Sequence, residues 1–123
     1  FFDEPLDQWN TSSATNMEGL FEGATLFNYD LSSWDTSQVT TMDSMFKDAT
    51  FFNQDLNAWN VSRVEYTGQM FMGASSFDGR IDQWDTSAEV NTNHMLEDAR
   101  VFNQPLPWNV SRVTELTAMF KNA

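Results

Sequence analysis

The chain has 123 residues, with 18 acidic and 6 basic side chains, a net charge of −12, no cysteine, one histidine and 41% hydrophobic residues. One domain of this length can bury a core; the acidic balance opposes neutralisation of phosphates, the lack of cysteine excludes disulfide frameworks and thiolate metal sites, and no apolar run approaches the roughly 20 residues of a membrane span. Nucleic-acid binding and membrane spanning are set aside on these grounds, and 11 Phe with 5 Trp are too many for a disordered acidic chain.

A fixed period organises everything that follows. Phe2, Phe27, Phe52, Phe77 and Phe102 recur every 25 residues, as do Leu6, Leu31, Leu56, Ile81 and Leu106, and Trp9, Trp34, Trp59 and Trp84. The repeats run 2–26, 27–51, 52–76, 77–101 and 102–123, within a single segment 1–123.

The first repeat sets the pattern of Trp9 followed by Asn10, Thr11 and Ser12. In the second, Val39, Met42, Met45, Phe46 and Ala49 fall within an arc of roughly 120° at about 100° per residue, so the spacing predicts a short helix over Gln38–Asp48 with Ser37 as its N-cap. Equivalent helices follow Ser12, Ser62, Ser87 and Ser111. In the third repeat, the run from Asp55 to Ser62 sets Trp59 and Val61 two apart, the spacing of one strand face.

The fourth repeat is irregular. Glu89 stands where the others have Val39, Val64 or Val113, Thr92 where they have Met42 or Leu116, and Asp78-Gly79-Arg80 follows Phe77, so its core is expected to be thin and its helix frayed. The fifth repeat loses one residue in NQPLPWN, which brings Trp108 forward.

One strand, one serine-capped turn and one helix per repeat predict a right-handed α/β solenoid of leucine-rich-repeat type with a parallel sheet, because a unit of this size buries its faces only by stacking. Stacking turns each column into a ladder. Asn10, Asp35, Asn60, Asp85 and Asn109 alternate charge with neutrality, which avoids adjacent carboxylates. With Thr11, Thr36 and Thr86 these are the candidate binding residues of the strand face. Asn10, Asn60 and Asn109 also open N-glycosylation sequons, which an Asn two residues before a fixed serine generates automatically.

Catalytic chemistry is not in evidence. His94 is expected to face solvent and has no nucleophile elbow to serve, and the carboxylate pairs Asp3 with Glu4 and Glu97 with Asp98 fall on turns or outer faces. DQWDTSAEVNTN lacks the residue order of a calcium loop, and no glycine-rich phosphate loop is present. No enzyme activity, cofactor or metal is expected, and the methionines fill core positions.

The motif FNxDLSxWDTSxVTxMxxMFxxA, nearly intact over Phe27–Ala49 and looser over Phe52–Ala74, resembles the 25-residue repeat of the BspA-like leucine-rich-repeat surface proteins of mycoplasmas, other bacteria and unicellular eukaryotes. The resemblance implies a solenoid and an extracellular or cell-surface protein that recognises a protein or a glycan. The alternative expectation is a structural subunit of an intracellular or organellar assembly. The hydrophobic openings at Phe1-Phe2 and Ala123 imply a segment of a longer protein, or ends covered by flanking repeats or another subunit.

Overall fold

In the computed structural model, which describes residues 6–123, the period becomes a stack of five coils; Phe2, the Asp3 and Glu4 pair and the Phe1-Phe2 opening lie outside the described residues. Coils 1 to 5 correspond to residues 6–26, 27–51, 52–76, 77–101 and 102–123. Phe27, Phe52, Phe77 and Phe102 stack ring on ring with centroids 5.7–5.9 Å apart. A second column of Phe21, Phe46 and Phe71 runs beside it at 5.5 Å, and rings of the two columns meet at 4.0–4.2 Å where each coil leads into the next. Burying each such ring contributes about 1.5–3 kcal/mol, so the aromatic columns form the main stabilising seam.

The tryptophans tie coil to coil. The indole N–H of Trp34 donates to the Leu6 carbonyl at 2.9 Å, and Trp59, Trp84 and Trp108 repeat the bond to Leu31, Leu56 and Ile81 at 2.8–3.0 Å. The ring covers the core while its one donor satisfies a carbonyl of the preceding coil.

The α/β expectation is corrected here. Among the described residues there is no helix, and the segments read as helices are ribbons of consecutive turns at 18–23, 43–48, 68–73, 93–98 and 117–122. An α-helix would send each N–H to the carbonyl four residues back. Here Met45, Lys47 and Ala49 donate three residues back, to Met42, Ser44 and Phe46, while the alternate N–H groups of Met42, Ser44, Phe46 and Asp48 donate out of the coil to Tyr66, Gly68, Met70 and Met72.

Two left-handed residues per ribbon make this possible. Gly19, Ser44, Gln69, His94 and Ala118 form one column with φ of +52° to +63°, and Gly23, Asp48, Gly73, Asp98 and Asn122 form the other with φ of +58° to +73°. Glycine, Asp and Asn are the residues that tolerate this region best, and the second column holds nothing else. An isolated helix of this length is marginal in water, so lateral bonds to a neighbouring coil win. The stripe is still buried: Val39, Met42, Met45, Phe46 and Ala49 are all fully enclosed.

The strand expectation is corrected as well. Among the described residues parallel pairing is confined to one isolated bridge position per coil, at Asn16, Thr41, Tyr66, Asn91 and Glu115, and none falls in 55–62. In that run the backbone turns, with Trp59 N–H donating to the Leu56 carbonyl and Val64 N–H to Val61. Side chains provide the cross-coil bonds that strands would have made. Asn28 accepts from Asn53 N–H, Asn53 from Asp78 N–H and Asp78 from Asn103 N–H, each at 2.8 Å.

Coil 4 is fully packed and not frayed. Thr92 and Glu89 are buried, and Thr92 Oγ1 donates to the Glu115 carbonyl at 3.2 Å. The Gly79 of its irregular Asp78-Gly79-Arg80 is required, because a Cβ there would lie 2.2 Å from the Gln54 carbonyl oxygen.

Candidate functional site

The structure gives the Asn/Asp ladder a role inside its own turns. Asn10, Asp35, Asn60, Asp85 and Asn109 are exposed, and each accepts through Oδ1 the N–H of the serine two residues on, at 2.9–3.1 Å. The hydroxyls of Ser12, Ser37 and Ser62 donate to the same oxygens at 2.6–2.7 Å. These are Asx turns, so the serine closes a turn where an N-cap was expected. The Ser37 and Ser87 hydroxyls, followed by their N–H groups, hold Asp35 and Asp85 below the usual carboxylate range.

The threonines act across coils. Thr11, Thr36 and Thr86 donate their hydroxyls to the carbonyls of Asp35, Asn60 and Asn109 at 2.9–3.1 Å, with Thr36 and Thr86 buried. Val61 is also buried in this column, whereas Val110 is half exposed.

A second location brings more chemistry together. On the turn ribbons a groove of about 390 Å³ is lined by Glu18, Asp43, Ser44, Gly68, Gln69, Asn91, Asn93 and His94. It exists because one column reads Glu18, Asp43, Gly68, Asn93, Thr117, and the missing side chain of coil 3 leaves a gap between Asp43 and Asn93. The neighbouring column explains the local bonding. Asn16, Thr41 and Asn91 each cap the N–H two residues on, but Tyr66 does not, and Gly68 N–H donates instead to Asp43 Oδ1 at 2.7 Å.

The groove is electrostatically negative. Burial, offset in part by the Gly68 N–H and reinforced by Glu18, raises Asp43 above the usual carboxylate range. Behind it, the Thr67 hydroxyl donates to the buried Glu89 carboxyl at 2.8 Å, and burial pushes Glu89 up to about 8. His94 is half exposed at the rim; its Nδ1 pairs with Glu97, whose other oxygen lies 3.4 Å from Lys121 Nζ. These partners, the His94 hydrogen bond first, hold Glu97 below its ordinary value. The Glu97 and Asp98 pair is thus split between different ions, Asp98 facing Arg100 at 3.8 Å. Among the described residues no group of three or more His, Asp and Glu side chains is arranged to hold a metal.

The sequence alone pointed to the ladder and missed the groove. Its signal is the interruption at Gly68 of a column otherwise made of polar side chains, visible once the columns at positions 18 and 16 of the period are written side by side.

No helix among the described residues is long and apolar enough to cross a membrane. Comparison with curated proteins and with solved structures gives no match. A family model described as Mycoplasma protein of unknown function, DUF285, matches residues 1–107 and 60–123, and the chain belongs to that family.

Proposed function

We propose that the chain is a non-enzymatic recognition module at a cell surface, and that it holds a protein or glycan partner in the groove over Gly68. The observation that carries the reading is the groove itself: an open concavity lined by hydrogen-bonding side chains and set on a ribbon anchored to the aromatic core. Its lining is pre-positioned, since Asp43, Asn91 and Asn93 are each fixed by a backbone N–H. Binding then loses little side-chain entropy. The resemblance of the repeat to BspA-like leucine-rich-repeat surface proteins supports the surface setting.

The test is retention of the chain on glycan and peptide arrays, comparing the wild type with Gly68→Asn, which gives coil 3 the side chain that coil 4 carries at Asn93. A ligand class bound by the wild type and lost in the variant supports the reading. Silence on every array, or equal binding by both proteins, overturns it.

A further inference from the structure

We infer that the notch over Gly68 seats a primary ammonium group, the side chain of a lysine on a partner protein. The inference rests on the reading of the groove as a recognition site and names what enters it. Apart from Gly68 and its two chain neighbours, the three heavy atoms nearest the position a Cβ of residue 68 would occupy are all oxygens, Asp43 Oδ1 at 3.3 Å, Asn91 Oδ1 at 3.4 Å and the Asn93 carbonyl at 3.6 Å, and a group seated over the Gly68 Cα faces the same three.

Each of these oxygens already accepts one N–H, from Gly68 at 2.7 Å, from Asn93 at 2.8 Å and from Gln69 at 2.8 Å respectively. Each therefore has one lone-pair direction left. A group placed among them must donate several hydrogen bonds and accept none. An ammonium has three donors and no acceptor, which matches the triangle. A hydroxyl donates once and turns its own lone pairs on the remaining oxygens. A guanidinium is a planar fork suited to two coplanar carboxylate oxygens and fits a three-sided cradle poorly.

The charge around the cradle agrees. Glu18 and Asp43 line the groove, and no Lys or Arg is among the lining residues. The one basic ring there, His94, is engaged by Glu97. Asp43 sits partly buried without a cationic partner, and an incoming ammonium supplies it. The net charge of −12 draws a basic segment toward this surface from a distance.

The experiment is a titration of the ¹⁵N-labelled chain with acetyl-Gly-Lys-Gly-amide, followed by the same peptide acetylated at the lysine Nζ, the arginine counterpart, a neutral saccharide and potassium chloride. The lysine peptide is expected to shift the amide signals of Gly68, Gln69 and Asn93 saturably, and the acetylated peptide is not. Gly68→Ala places a methyl group in the cradle without a positive φ to strain it, and should weaken the response at least about tenfold. Asp43→Asn keeps an oxygen for the Gly68 N–H, removes the charge and should weaken the response as well. Equal shifts from the acetylated peptide, an undiminished response in Gly68→Ala, or the same shifts from potassium at lower concentration than the lysine peptide overturn the inference. Saturation by the arginine peptide or the saccharide but not by lysine overturns it while leaving the recognition reading standing, whereas silence toward every probe and every array removes both.

Discussion

Glu89 offers the sharpest test of how this core is held together. It occupies a valine column, is buried, and has the Thr67 hydroxyl as its hydrogen-bond partner, with Asp43 as the nearby charge that further disfavours ionisation. In the fold its carboxyl is raised from 4.5 to about 8. Between those values the folded chain keeps a proton that the unfolded chain releases, so stability falls as pH rises from the lower value and levels off above the upper one. At about 1.4 kcal/mol per tenfold, the full cost is about 5 kcal/mol, and water entry on ionisation reduces it to roughly half. Against a total stability of about 5 to 15 kcal/mol, that is decisive. Glu89→Gln retains an acceptor for Thr67 and carries no charge at any pH. Urea unfolding at about pH 5 and about pH 9 should show the two proteins nearly equal at the lower pH and the variant more stable by about 2–5 kcal/mol at the higher. A difference that stays constant between the two conditions refutes the buried, protonated carboxyl.

The remaining predictions probe the ribbons and the columns. Gly79→Ala sets a Cβ 2.2 Å from a backbone oxygen and should lower the melting temperature clearly more than Gly23→Ala, where no atom lies within 4 Å and the left-handed φ alone costs about 1 kcal/mol. Trp59→Phe leaves the Leu31 carbonyl without its indole donor, and denaturant unfolding should register a loss of about 1–3 kcal/mol. In hydrogen exchange, the amides of Met42, Ser44, Phe46 and Asp48 should be protected through coil 3, and far-UV circular dichroism of the whole chain should lack a helical signature.

The core was legible because columns of Phe, Trp, Leu and Met at a fixed period leave few ways to bury them. Its backbone was not. Val39, Met42, Phe46 and Ala49 are spaced three and four apart, which suits one face of a helix and equally a ribbon of turns that buries one residue per turn. The distinguishing residues were Gly23, Asp48, Gly73, Asp98 and Asn122: a helix has no use for a conserved spacing of left-handed formers inside its last turn, whereas the ribbon requires it. The Asn/Asp ladder was conspicuous by composition, yet its oxygens close turns with Ser12, Ser37, Ser62, Ser87 and Ser111. The cradle at Gly68 is assembled from residues 43, 68, 91 and 93, and an atom that is missing gives a sequence pattern little to display.

The direction of the ribbon bonds has an electrical consequence. At every junction the alternate amides of one ribbon, such as Met17, Gly19, Phe21 and Gly23, donate to carbonyls of the next coil, and they outnumber the bonds, such as Thr40 to Thr15 and Glu65 to Thr40, that run the other way. Peptide dipoles that add head to tail give a helix its partial charges, and the same addition here runs along the stack, at right angles to the local path of the chain. The positive pole faces coil 5 and the negative pole faces coil 1. A polymer of near-identical units thereby acquires a head and a tail, and a charged partner meets a polarised rod whose axis fixes the sense in which it lies along the coils.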